Sequence, residues 1–313
     1  MPTSIHASVI SELNGIGKGE GDAMKQSWPG VKRFFELVRR APKIPIIILL
    51  TFVVLAIFAG FLHLADPEIG DPRKRLLPPY LGKGGVIQYP LGTDTMGRDI
   101  LSRLIYGARF SLLVAFAAVI FAGFLGTVLG VLAGFFGGWV DQVIMRITDA
   151  WLSIPTVMFG VLMAISLGPG AFNIVVIMSV VLWTRYARVA RGETLSLKTR
   201  DFVRLATVAG CGKVTIMRKH ILPNVLNSVI TLASLQIGIV VIAEASLTFL
   251  GVGVPPPKPA WGLMLAEGRG GLLTGYWWLV VFPGLAIALL VVSFNVIGDW
   301  LRVYLDPHYR NIA

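Results

Sequence analysis

The chain has 313 residues, of which 55% are hydrophobic and only 14% are charged, and its mean hydropathy is +0.74. An ordinary soluble domain is about one quarter charged, so this composition excludes that class and indicates a membrane protein. The formal net charge of +11 indicates membrane topology and contact with anionic lipid rather than nucleic acid binding, and the single cysteine excludes an internal disulfide.

Residues 1–43 are predicted to form a cytoplasmic tail. The first 24 are small and polar and show no hydrophobic period. Residues 26–42 interleave aromatic and basic side chains, which is typical of an amphipathic helix in the inner membrane interface, although a soluble tail is the alternative. Because about forty residues precede the first apolar run, that run is expected to remain as an anchor rather than be cleaved as a signal.

Six apolar blocks are candidates for membrane spans, since a helix needs roughly 20 apolar residues to cross a hydrocarbon core. Most Lys and Arg residues fall on one side of an N-inside arrangement, which predicts that both termini are cytoplasmic. The predicted fold class is therefore an all-α polytopic membrane protein. The predicted spans are residues 44–64, 110–136, 152–167, 171–183, 228–250 and 277–297.

The longest predicted outer loop, residues 66–109, is rich in Pro and Gly and is expected to cover the outer mouth. Its last part contains LGTDTMGRDILSRLIYGARFSL, where Thr93 or Asp94 could cap a helix. Arg98, Arg103 and Arg109 are spaced to lie near one another across helical turns.

The second span carries Gly126, Gly130 and Gly134, which recur every four residues. This small-xxx-small ridge predicts close packing against a neighbouring helix. Residues 141–151 predict a short amphipathic connection on the inner side. The third and fourth spans meet at a Gly-Pro-Gly turn, residues 168–170, and predict a tight helical hairpin.

Residues 201–224, DFVRLATVAGCGKVTIMRKHILPN, form a basic segment between two apolar runs. Short helices are predicted over residues 193–198, 201–209 and 213–220, with a turn at Gly210 and a stop at Leu222 and Pro223. Two short helices across a glycine make a compact knob that could plug a groove on another protein. A basic loop attracted to lipid is the alternative.

The chain shows no pattern typical of catalysis or metal binding. It has no P-loop, and no Ser-His-Asp set or carboxylate pair is visible by spacing, so no catalytic residues are predicted. Its four histidines are scattered along the sequence, so no metal ligands are predicted. Gln236, Glu244 and Asn295 are polar residues inside spans and are candidates for a translocation pathway. For Glu244, a hydrogen bond that ties two helices together is the alternative.

Residues 201–224 resemble the coupling loop of type I ABC importer permeases. That loop has Glu-Ala-Ala, a glycine four residues after the second alanine, and a closing Leu-Pro. Ala206, Gly210, Leu222 and Pro223 match this pattern, whereas Arg204 replaces the acidic residue and the first alanine is also replaced. The resemblance therefore favours a docking surface over a lipid-bound loop.

Three further blocks resemble the second permease subunit of dipeptide, oligopeptide and nickel ABC importers. They are residues 91–112, 261–270 (WGLMLAEGRG) and 282–307, and they occur in the family's order. The resemblance spans nearly everything after residue 90, and the first 40 residues do not share it. It implies a type I ABC importer transmembrane fold with six spans in the bacterial inner membrane.

The resemblance also implies a domain arrangement. Residues 44–107 would form the first span and the outer loop, residues 108–299 the transmembrane core, and residues 300–313 a cytoplasmic tail. The coupling loop would occupy residues 188–225. Its ATPase-contacting residues are expected to be Asp201, Arg204, Ala206, Gly210, Leu222 and Pro223.

The partners implied are a homologous permease, two ABC ATPase subunits that hold ATP and Mg, and an extracytoplasmic substrate-binding protein; this chain itself is expected to bind no cofactor. The predicted function is that of a permease subunit for peptides or related small solutes. A self-contained secondary transporter or channel is the alternative, although midplane charges are scarce and no internal repeat is visible. A membrane-embedded enzyme is a further alternative, but this sequence shows neither a catalytic nucleophile nor a set of metal ligands.

Overall fold

The computed structural model describes residues 41–305. The predicted polar tail over residues 1–24, most of the predicted interfacial helix over residues 26–42, and residues 306–313 lie outside this range. Within it, the regular structure is helical. We number the main helices α1 Lys43–Phe58, α2 Ile100–Phe136, α3 Gly138–Leu152, α4 Thr156–Leu167, α5 Ala171–Lys198, α6 Asp201–Val208, α7 Lys213–Ile216, α8 Leu222–Phe249, α9 Trp261–Gly268 and α10 Trp278–Leu305.

Five stretches of helix in residues 41–305 are long and apolar enough to cross a membrane, and a sixth span results if α3 and α4 are counted as one broken span. The five stretches are Lys43–Phe61, Ile100–Phe136, Ala171–Lys198, Lys213–Phe249 and Trp278–Val303. The all-α polytopic fold class is confirmed.

The third predicted span, residues 152–167, is wrong as a single helix. Leu152 ends α3, and α4 begins only at Thr156 after a bend of 89°. Pro155 supplies the physical reason, because the residue before a proline is pushed out of helical geometry. The predicted hairpin is confirmed, since α4 and α5 are separated only by residues 168–170 and pack together.

The second span begins ten residues earlier than predicted, at Ile100 rather than Phe110. Asp99 caps the helix, because its carboxylate accepts hydrogen bonds from the backbone N–H groups of Leu101 (3.3 Å) and Ser102 (3.0 Å). Thr93 and Asp94 therefore do not cap it. Burial raises the pKa of the Asp99 carboxyl group, and the two N–H donors oppose this shift.

The helix pair α2 and α5 forms the centre of the molecule and shares the most extensive contact. Gly126, Gly130 and Gly134 all lie on the side of α2 that faces α5. A Cβ atom on Gly134 would come within 2.8 Å of the Thr194 Cβ, and one on Gly130 would come within 2.8 Å of the Ala190 Cβ. Only glycine allows the two backbones to approach this closely.

The remaining long helices pack around this pair. Helix α8 contacts α2, α5 and α10, while α1 contacts α2 and α10. The short helix α9 is attached to α2 by Trp261. This side chain is fully buried and donates its indole N–H to the Leu104 carbonyl oxygen at 2.9 Å. This packing places α5 and α8 side by side, with the segment that joins them at one end.

Candidate functional site

The segment between α5 and α8 contains the short amphipathic helix α6, as predicted. Val203 and Ala206 on one side are buried, with 3% and 9% of their surface exposed. Leu205 and Val208 on the other side are 68% and 86% exposed. Because α6 lies between two membrane spans and belongs to neither, these apolar side chains form an exposed patch that other described residues do not cover.

A left-handed turn at Gly210 ends α6. The Gly210 N–H donates to the Thr207 carbonyl oxygen, and the Cys211 N–H donates to the Ala206 carbonyl oxygen, each at 3.0 Å. This pair of bonds is a Schellman motif, which requires a residue of positive φ, and Gly210 has φ of 77°. The predicted turn at Gly210 is confirmed, and a side chain there would meet open space.

The predicted stop at Leu222 and Pro223 is wrong. The chain runs as helix from Lys213 to Phe249, and Pro223 lies in the first turn of α8. A proline in a regular helix interior clashes with the carbonyl group four residues earlier. Here a wider, π-type turn over Met217–Ile221 precedes the proline, so the helix passes it without ending.

The predicted short helix over residues 193–198 is instead the last turn and a half of α5, which continues to Lys198. A two-residue link then leads into α6. Glu193 also joins the two long helices, since the Ser228 hydroxyl donates to its carboxylate at 2.8 Å. The segment is thus held between two spans and is attached directly to both.

The exposed charged side chains around the α6 patch are mostly basic. They are Arg200, Arg204, Lys213, Arg218 and Lys219, with Asp201 as the acidic exception. The aromatic ring of Phe202 lies 6.3 Å from the His220 ring, which connects α6 to the start of the following helix. The surface therefore combines an apolar patch with a positive rim.

The structure places the three candidate pathway residues in different environments. Glu244 is 1% exposed and accepts hydrogen bonds from Ser111 (3.1 Å) and Thr248 (2.9 Å), so it links α8 to α2 inside the subunit. Gln236 is buried against α5 and accepts a bond from Arg185. Asn295 is exposed on α10. The three residues do not converge on one site.

A buried ionic cluster near the start of α2 was not predicted. The Arg98 guanidinium donates to Asp94 at 2.7 Å and to Glu267 at 2.8 Å, and Arg103 donates to Glu267 at 2.7 Å and also to Asp94. Both arginine side chains are at least 96% buried, since their exposures are 4% and 1%. Arg109 lies apart and is exposed. The cluster fastens the loop between α1 and α2 to α9.

The sequence offered part of the signal for this cluster. Arg98 and Arg103 were expected to be neighbours, but Glu267 is 169 positions from Arg98 and nothing in the spacing links the two. All four residues lie in the blocks 91–112 and 261–270 that carried the family resemblance.

Comparison with known proteins decides the family. The model for "binding-protein-dependent transport system inner membrane component" matches residues 126–311. This chain belongs to that family. The permease is 38% identical over 268 residues to a di/tripeptide transport system permease protein of Pseudomonas aeruginosa, covering 86% of this chain and 88% of the relative. It is 37% identical to a glutathione transport system permease protein of Pectobacterium atrosepticum, with coverage of 84% and 85%.

Solved structures agree on the fold of the permease. A crystal structure of an inward-facing methionine ABC transporter superposes with a TM-score of 0.54 at 19% identity, covering 65% of this chain and 96% of that chain. The chain is therefore a multi-pass inner membrane protein with the type I ABC importer permease fold. It is a transport subunit that works with partner subunits.

Proposed function

We propose that this permease pairs with a homologous permease to form the pathway of an ATP-driven importer of peptides or closely related solutes. Peptide is the favoured substrate because the relatives of 37–38% identity are named for di/tripeptide, dipeptide and glutathione transport. An extracytoplasmic binding protein delivers the solute to the outer mouth. Two ABC ATPase subunits hold ATP and Mg on the inner side.

The observation that carries this proposal is the exposed apolar patch on α6. Leu205 and Val208 lie outside the membrane spans, where an uncovered apolar surface is costly and marks an interaction site. A short helix presenting such a face fits a groove on a partner protein. Arg204, in the place of the usual acidic residue, adds to the positive rim and suits a groove with negative charge at its edge.

In the proposed mechanism, ATP binding closes the ATPase pair and moves α6. The movement reaches α5 through the two-residue link after Lys198, and it reaches α8 through the helix that begins at Lys213. The pathway then opens outward to accept solute, and hydrolysis resets it inward. This is alternating access driven by rigid elements, in which the partner's nucleotide state biases a two-state equilibrium.

The proposed topology places both termini and α6 in the cytoplasm, and places the loop between α1 and α2 outside. The excess of Lys and Arg near α6 and the tail supports this orientation. Of the candidate pathway residues, we assign exposed Asn295 to the region that faces the partner permease and buried Gln236 to the contact of α5 with α8. Glu244 ties α2 to α8, because its carboxylate is enclosed by Ser111 and Thr248.

The test is an affinity pull-down of the tagged chain from detergent-solubilised membranes, followed by an ATPase assay with the binding protein and peptides. We expect a P-loop protein to co-purify and its hydrolysis to rise with peptide-loaded binding protein. A chain that purifies alone and still moves solute in liposomes would instead be a secondary carrier.

Leu205→Asp tests the docking patch itself. Burying a carboxylate in place of an apolar side chain should reduce the amount of co-purifying ATPase by about tenfold or more. Leu81→Asp is the matched control, because Leu81 is 97% exposed in the outer loop. Equal ATPase recovery with both variants would show that α6 faces lipid rather than a protein groove.

A further inference from the structure

Arg185 stands out among the residues that no part of the transport mechanism above uses. It lies about 21 Å along α5 from Ala171, at 1.5 Å per residue, within a helix long and apolar enough to span the membrane. Every residue from 173 to 184 is buried or half-buried, and Arg185 is the first exposed side chain after them. An exposed guanidinium within such a span must face a partner, a pathway or water rather than lipid.

The immediate surroundings of Arg185 offer hydrogen-bond donors in excess. Its Nη1 group donates to the Gln236 Oε1 atom at 3.2 Å, which occupies one of its five N–H donors. The Gln236 amide nitrogen, Nε2, is buried and has no hydrogen-bond acceptor within residues 41–305. The guanidinium and the amide are thus joined at the contact of α5 with α8, and the amide N–H group is enclosed there without an acceptor.

No carboxylate in the described part of the chain forms an ion pair with Arg185. The neighbouring Arg188, one turn further along, is different, because its guanidinium pairs with Asp149 at 2.6 Å. Glu193 is engaged with Ser228. Arg185 therefore keeps an unneutralised charge beside a buried amide that lacks an acceptor. A planar carboxylate matches the fork of an arginine.

We propose that Arg185, oriented by Gln236, binds the carboxylate of the transported solute on the inner half of the pathway. This inference rests on the proposed function, since every peptide with a free C-terminus carries such a group. It assigns Gln236 a specific role, which is to orient the guanidinium through Oε1. Arg188 has no such role, because Asp149 already neutralises it.

The test uses the complete transporter in proteoliposomes with its binding protein. The probes are one dipeptide with a free C-terminal carboxylate and the same dipeptide as its C-terminal amide. The readout is the ratio of acid to amide uptake, which cancels any preference of the binding protein because that protein is the same throughout. Arg185→Gln should lower this ratio about tenfold, the amount expected for one lost charge-assisted interaction.

Two further variants sharpen the result. Arg185→Lys keeps the charge without the fork, so its ratio should be intermediate. Arg188→Gln is the matched control and should leave the ratio unchanged. Arg188→Gln should also keep the ATPase activity that the loaded binding protein stimulates.

An unchanged ratio in Arg185→Gln overturns the site. Dissociation of the permease pair in Arg185→Gln, seen by size-exclusion chromatography, also overturns the site. Arg185 would then pair with a carboxylate of the partner permease rather than with the solute. A wild-type complex that takes up no peptide contradicts the proposed function, and the inference falls with it. Peptide uptake with equal ratios in all variants contradicts the Arg185 site alone.

Discussion

Substituting Gly130 by alanine should weaken the packing of α2 against α5. The new Cβ atom would lie 2.8 Å from the Ala190 Cβ and 3.0 Å from the Arg191 nitrogen, and the Ala187 carbonyl oxygen would be closer still. Ordinary contact begins at 3.4 Å, so the helices must separate locally by more than the 0.6 Å missing at the Ala190 Cβ, and such overpacking costs about 1–3 kcal/mol.

Gly123 on the same helix is the matched control, since a Cβ there would lie 3.6 Å from the Tyr186 ring, an ordinary distance. Both substitutions gain helix propensity of about 1 kcal/mol over glycine, so this gain cancels in the comparison. Gly130→Ala should therefore be less stable than Gly123→Ala by about 1–3 kcal/mol.

The assay is thermal unfolding of the purified complex in one detergent, with each variant measured at the same protein concentration. At roughly 2–4 °C per kcal/mol, the Gly130 variant should melt several degrees below the Gly123 variant. A Gly130→Ala complex that melts at or above the Gly123→Ala complex would refute the argument that backbone approach requires glycine at this position.

Two other substitutions separate coupling from stability. Gly210→Val should cost about 1–3 kcal/mol, because valine strains a positive-φ position, and it should reduce solute uptake per ATP hydrolysed while membrane insertion persists. Gly210→Asn is the control, since asparagine tolerates that conformation, and it should retain uptake. Equal uptake by both variants would argue against a role for the turn. Glu267→Gln leaves two buried arginines with Asp94 alone and should lower the unfolding free energy of the complex by about 3 kcal/mol, read by denaturant titration, whereas exposed Glu68→Gln should change it little.

The membrane spans could be predicted from the sequence because each contains a long run of mainly apolar residues. Their ends were misplaced where helices continue into polar sequence. Helix α2 begins at Ile100, amid Arg and Ser residues that carry no apolar period, and α5 continues to Lys198. The break after Leu152 did have a signal, Pro155, but the surrounding residues remain apolar and masked it.

The candidate site divides in the same way. The turn at Gly210 is local, so spacing predicted it. The continuation past Pro223 depends on a wider turn that no residue type announces. The contacts of Glu244 with Ser111 and of Arg98 with Glu267 join residues 133 and 169 positions apart, and only the tertiary packing of the helices brings them together.

The wide turn over Met217–Ile221 also sets a rotational phase. A π-type turn accommodates one residue more than an α turn, so the helix before it is offset by about 100° around the common axis. The side of α7 that meets α6 is therefore chosen independently of the side on which α8 presents Gln236 to α5 and Gly238 to α10. Deleting one residue within this turn would restore regular α-helical winding. It would rotate α7 relative to α8 about the common axis, although the length of the helix would hardly change.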